Sequence, residues 1–223
     1  MIPQNILDGL TIFGLALVPA LFGIICHEVA HGWVAYKLGD PTAKYLGRLT
    51  LNPVKHIDPM GLGVFAVTAL TMPVAIGWAK PVPVQSRYFK QPREGMVFVS
   101  LAGPMANFLV AILCAVILKL SHNLEISGVL GQSAGLDFAQ QSMAMGIRIN
   151  CALAWFNLMP IPPLDGSHIV GGLLPPRIAD RYQELGRYGM VIIFALLLTG
   201  VFRSVIFPLI RQTSSLIGAL VGL

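Results

Sequence analysis

The chain is short of charge. Asp, Glu, Lys and Arg make up 11% of its 223 residues against 55% hydrophobic side chains, with a mean hydropathy of +0.73. Soluble globular domains carry roughly a quarter charged residues, so that class is excluded and the chain belongs in lipid. Acids are scarcer still, ten against fifteen Lys and Arg, for a net charge of +5. The basic residues fall in short groups between apolar segments rather than in one stripe, which argues against a nucleic-acid partner and for membrane orientation. Cysteine is nearly absent: Cys26, Cys114 and Cys151 lie in apolar stretches, are odd in number and lack metal-ligand spacing, so they read as small buried hydrophobes rather than a disulfide framework. The opening MIPQNILDGL has neither a basic n-region nor a small-residue cleavage site, so the first apolar run is expected to stay as a span. No internal repeat and no low-complexity block is visible, and the loops are short.

What is present is a series of apolar runs approaching the roughly twenty residues needed to cross a hydrocarbon core of about 30 Å. Residues 9–26 carry no charge, and the helical pattern continues through HEVAHGWVAY to Gly39-Asp40-Pro41, where Gly and Pro end it. Met60 to Ala79 is apolar but broken by Pro73 and Gly77. If it crossed the bilayer it would split Lys37, Lys44, Arg48 and Lys55 from Lys80, Arg87, Lys90 and Arg93, against the positive-inside rule. A re-entrant segment keeps both basic groups on the cytoplasmic side, its broken backbone covered by protein or lining a polar cavity. Within it, Gly77 to Val84 alternates at period two with Pro81 and Pro83 on one edge, the pattern of an edge strand. Met96 to Leu120 is a further span, followed by an external polar stretch. Phe138 to Met159 is another helix, whose Gln140, Gln141 and Arg148 protrude or face inward. Met190 to Val201 begins a last membrane segment, with an apolar tail to Leu223. The expected fold is an all-α polytopic bundle of about four to six transmembrane helices with a re-entrant β-strand or hairpin. It forms a single membrane-embedded domain over 1–223, its core 22–168 and C-terminal membrane segments 188–223.

Ionisable residues at membrane depth are costly and point to a site. His27-Glu28-Val29-Ala30-His31 puts two imidazoles at i and i+4 on one helical face, where both can reach one zinc ion, with a glutamate placed as a water-activating base. From this chain's own His and Glu content the pattern arises by chance about twice in a thousand chains. A catalytic zinc takes three protein ligands and keeps a position for water, so a distant carboxylate is required. Asp165 lies in the stiff turn Pro160 to Gly166. It suits that role, although an Asp-Gly turn of the ordinary kind explains the residues equally well.

HEVAH in an apolar helix, GPMAN at 103–107 and NLMPIPPLDG at 157–166 together resemble the site-2 protease family of intramembrane zinc metalloproteases, in its compact form without appended domains. The likeness extends through LNPVKHIDPMG and GWAKPVPV, about residues 22–168. It implies His27, His31 and Asp165 as zinc ligands, Glu28 as general base, Asn157 positioning substrate or stabilising the oxyanion, and Asn107 in a supporting role. It also implies transmembrane protein substrates within the lipid bilayer, and a multi-pass protein of a bacterial or archaeal membrane with its active site toward the cytoplasm.

A transmembrane substrate must unwind before its peptide bonds can be attacked. The free edge of the 77–84 strand is expected to receive it by strand addition. His56 reads as a solvated loop histidine, His168 as a partner orienting Asp165, and Trp33, Trp78 and Trp155 as interface anchors or packing. The competing reading is a metal transporter or channel using the same His/Asp cluster, and a third is a membrane scaffold.

Overall fold

The computed structural model describes the backbone of residues 4–71 and 79–223 and the side chains of 7–68, 79–200 and 202–223. Gly77 and Trp78 lie outside these residues. Nine α-helices are described: α1 Gln4–Lys37, α2 Thr42–Tyr45, α3 Pro59–Thr71, α4 Pro92–Ile126, α5 Ala134–Asn157, α6 Asp165–Leu173, α7 Pro176–Glu184, α8 Gly189–Leu198 and α9 Val201–Val221. Helices α1, α4 and α5 pack against one another, α9 closes over α4 and α5, and α6 lies against α4.

Three of the described helices are long and apolar enough to cross a membrane, within Leu7–Lys37, Pro92–Ile126 and Phe202–Val221. α5 has the length, at 24 residues, but carries Gln140, Gln141, Arg148 and Asn150. α8 has the apolarity but only ten residues, about 15 Å of helix. That is why fewer spans stand out than apolar runs in the sequence. Arg148 is exposed on α5, outside the helix face that packs inward.

α3 starts on a cap the sequence provides: Asp58 Oδ1 accepts from the amides of Met60 and Gly61, at 2.9 and 3.1 Å, and Pro59 takes the first position, where no amide is needed. At thirteen residues α3 rises about 20 Å. Ile57, just before it, pairs with Ala79 in an isolated antiparallel bridge, so residues 57 and 79 lie side by side. Among the described residues this bridge is the β pairing; no strand is formed. Pro81 and Pro83 remove alternate donors and hold 79–85 as extended chain that cannot build a ladder.

The core between α4, α5 and α9 uses small side chains: Ala111, Cys114, Ala115 and Cys151 are buried with Val110, Leu118, Ile147 and Ile217. Small residues let helices approach closely where lipid gives no hydrophobic drive to associate. All three cysteines are free and two are buried, as small hydrophobes.

α1 contains Pro19, whose missing amide leaves the Leu15 carbonyl without its helical donor. Ser142 of α5 supplies one, its Oγ donating to Leu15 O at 2.9 Å. The break in one helix is thus repaired from another, the condition for a proline in apolar surroundings. Ser142→Ala is expected to cost about 1 kcal/mol by orphaning that carbonyl, read as a lowered unfolding temperature in detergent.

Candidate metal centre

α1 carries His27, Glu28 and His31 in its C-terminal third, before Gly39, whose φ of +110° ends the chain's helical run. The two imidazoles stand edge to face, their Nε2 atoms 2.9 Å apart. Asp165, at the start of α6, brings Oδ2 to 3.2 Å from His27 Nε2 and 3.4 Å from His31 Nε2. These three residues form a group able to hold a metal ion.

The outer faces of both rings fix their tautomers. His31 Nδ1 meets the Val99 carbonyl at 2.7 Å, and a carbonyl can only accept, so Nδ1 carries the proton. His27 Nδ1 meets Asn107 Oδ1 at 2.8 Å, while the Asn107 amide nitrogen donates to Gly23 O and Asn150 Oδ1, both at 3.1 Å. His27 Nδ1 is therefore the donor there. Both Nε2 atoms are left with lone pairs facing one another and a carboxylate oxygen that is buried without a hydrogen-bond donor. Three acceptors within 3.4 Å are mutually repulsive unless a cation lies among them. Their spacing also matches the roughly 3.3 Å between ligand atoms of a tetrahedral zinc bonded at about 2.0 to 2.1 Å. The residues fit the metal.

α6 is fixed at its far end by Arg93 of α4, whose Nη2 donates to Gly171 O at 2.8 Å and to Leu174 O. Gly103, opening GPMAN, faces the imidazoles so closely that a Cβ there would stand 2.5 Å from His27 Cε1 and His31 Nε2.

Glu28 sits beside the trio with Oε2 accepting from the Val82 amide at 2.6 Å. That bond revises the expected docking of an unwound substrate. The amide-bearing edge at residues 80 and 82 is already engaged: Val82 N–H on Glu28 and Lys80 N–H on His56 O, at 2.8 Å. The opposite edge has no donors at Pro81 and Pro83.

Asn107 is completely buried and bonded to the outer nitrogen of the His27 ring. Asn157 is half-buried at the end of α5 and donates to Leu153 O of its own helix at 2.9 Å. His56 is completely buried rather than solvated, its Nε2 bonded to Thr50 O at 2.8 Å. His168 is pushed toward the neutral form by burial, Asp165 acting against this and His31 with it. Trp33 is exposed beneath Lys37, and Trp155 donates to Thr213 Oγ1 at 3.0 Å. Sequence reasoning passed over Asn150, which links Asn107 to Pro19 O and Gly146 O. Its signal was a lone amide in the apolar run Ile149 to Trp155.

Two imidazoles and a carboxylate converging within an apolar bundle define a membrane metalloenzyme centre. The model of peptidase family M50 matches residues 15–199, and the chain belongs to that family. It is 39% identical over 210 residues to the "Putative zinc metalloprotease YwhC" of Bacillus subtilis, covering 92% of each chain. It is 28% identical over 206 residues to Rip2 of Mycolicibacterium smegmatis, similarly named, covering 89% of this chain and 72% of that one. Rip2 of Mycobacterium tuberculosis strain H37Rv is also 28% identical, covering 84% of this chain and 68% of that one. No solved structure matches significantly.

Gly103→Ala is expected to displace both imidazoles and abolish stoichiometric metal binding. Asn107→Ala, which frees the His27 ring, should weaken zinc affinity by about 10- to 100-fold. Metal analysis and competition with a chelator check both.

Proposed function

We propose that this chain is an intramembrane zinc metalloprotease in which His27, His31 and Asp165 hold the zinc and Glu28 is the general base, cutting transmembrane protein substrates in or near their membrane segments. One observation carries this assignment: the trio converges with its outer nitrogens tied off, next to a carboxylate outside the ligand set. Membership of a peptidase family and the zinc metalloprotease names of its relatives support it.

The zinc, when bound, polarises the scissile carbonyl and lowers the pKa of its water toward about 7. Glu28, tied by Oε2 to Val82, has its other oxygen to accept the proton of that water and return it to the leaving amine. Asn107 keeps the His27 ring turned inward. Asn157, at the mouth of the Pro160–Gly166 turn that carries Asp165, positions the substrate carbonyl or steadies its developing negative charge.

Several features of the membrane arrangement belong to the same reading. α5 lies in the bilayer with the three apolar spans, because its buried polar groups Ser142 and Asn150 are paired with α1 and α4. Residues 57 and 79 lie on one side of the bilayer, as the bridge between them favours. The basic segments 37–55, 80–93 and 177–187 then lie in the cytoplasm of a bacterial or archaeal cell, with the active site toward that side. Residues 1–223 act as one membrane-embedded domain, with core 22–168 and C-terminal membrane segments 188–223. The transporter reading has no support, since among the described residues the His/Asp groups form one cluster rather than a path.

Glu28→Gln separates these readings. It is expected to retain zinc and lose cleavage of single-span membrane proteins by at least about a hundredfold, whereas transport has no need of a proton acceptor there. Undiminished cleavage by the variant would sink the assignment.

A further inference from the structure

The segment that presents Val82 to Glu28 is held by buried polar groups that belong to no part of the metal trio. It runs Ala79-Lys80-Pro81-Val82-Pro83-Val84-Gln85. Each proline fixes its own φ and crowds the residue before it into extended conformation, so Lys80 and Val82 form a stiff rod with their polar groups on one edge. At Lys80 both groups are taken: its amide donates to His56 O at 2.8 Å, and its carbonyl accepts from Arg48 Nη2 at 2.6 Å. At the far end the Gln85 amide donates to Asp40 Oδ2 at 2.6 Å. Val82 lies between these anchors.

The anchors are unusual for a loop. Asp40 and His56 are 0% exposed and Arg48 is 7% exposed. Asp40 is used twice over, its Oδ1 accepting from the Thr42 amide at 2.9 Å. Arg48 has no carboxylate partner among the described residues, and its Nε is buried without an acceptor. Burying a guanidinium is costly, and a single carbonyl offsets little of that cost. Packing alone is better served by an apolar side chain of similar length. The bond from Arg48 to the Lys80 carbonyl needs another reason, and two residues further along the same edge lies the amide that holds Glu28.

We propose that Arg48 is a positioning residue for Glu28, acting through the Lys80 carbonyl and the Lys80-Pro81-Val82 rod to aim the Val82 amide at Oε2. This rests on Glu28 being the base. A glutamate side chain has enough rotamer freedom that a free carboxylate spends much of its time turned away from the attacking water. Tying one oxygen orients the other, and the tie is only as firm as the rod. Arg48 thus contributes to turnover without touching substrate or metal.

The test uses the full chain purified in detergent, with Arg48→Met, Arg48→Lys and the Glu28→Gln reference. Zinc content, unfolding temperature, kcat and KM are measured on whichever protein from a panel of single-span membrane proteins is cut most readily. Arg48→Met keeps length but removes the donor. It is expected to retain full zinc and equal or higher thermal stability, to leave KM within about twofold, and to lower kcat about tenfold or more. Arg48→Lys, which restores a donor of shorter reach, is expected to recover part of that loss. Arg48→Ala stands in should the methionine variant not fold, judged by the same kcat and KM criteria. Unchanged kcat in the donorless variant, a loss confined to KM, or a lysine variant no better than the methionine one overturns the proposal. Absence of cleavage by the wild type, or persistence of cleavage in Glu28→Gln, would instead remove the protease reading beneath it.

Discussion

Three hydrogen-bond acceptors face one another at the centre of this molecule, and the rest of the structure is organised by the need to keep them there. Two imidazole lone pairs and a carboxylate oxygen within 3.4 Å repel one another and have lost water. Such a group persists if its outer atoms are held by donors and acceptors that leave no alternative tautomer, and if a cation completes it. Val99 O and Asn107 Oδ1 meet the first condition. The second is met by what the group is built to bind. α4 therefore does two things with one stretch of sequence: Gly103 gives the rings room, and Asn107, one turn later, locks one of them.

The same demand extends outward. Asn107 can orient His27 because its own amide is spent on Gly23 O and Asn150 Oδ1, and Asn150 is in turn fixed by Pro19 O and Gly146 O. α1 is interrupted by Pro19, and the carbonyls around that break become the acceptors on which α5 is seated, through Ser142 and Asn150. In water such a break would be hydrated and α5 would gain nothing from it. In an apolar bundle it becomes a specific address, because each carbonyl left open must find a donor from another helix.

How much of this was legible in the sequence follows from how local each interaction is. His27, Glu28 and His31 occupy one face of one helix, so their spacing announced them. Asp165 was a candidate by its turn and by resemblance, and the structure brings it to the histidines across more than 130 residues. Asn150 and Arg148 looked alike in the sequence, as polar residues marring an apolar helix, yet Asn150 is buried in a network and Arg148 is exposed. The residues that separate them lie on other helices, and periodicity carries no information about those. His56 was misread for the same reason: its segment is polar, but the acceptor for its ring, Thr50 O, and the amide on its carbonyl, that of Lys80, exist only once 48–57 and 79–85 are brought together. The alternation at 77–84 pointed to an edge strand, and among the described residues 79–84 form none beyond the single bridge at Ala79. It could not indicate that the donors on the useful edge were already taken.

That last point constrains how a substrate can be met. A peptide pairing with an extended segment needs donors and acceptors in alternation. Here the edge carrying the amides of residues 80 and 82 is closed by His56 and Glu28, and the other edge offers carbonyls at Pro81 and Pro83 without amides beside them. The segment is therefore better suited to holding Glu28 than to extending a sheet. Its stiffness, which in an edge strand would guard against unwanted pairing, serves to transmit the anchoring of residues 80 and 85 to the one amide between them that reaches the site. A carboxylate next to a metal ligand is available to many chemistries. One with an oxygen held by a stiff backbone segment presents its other oxygen in a single direction.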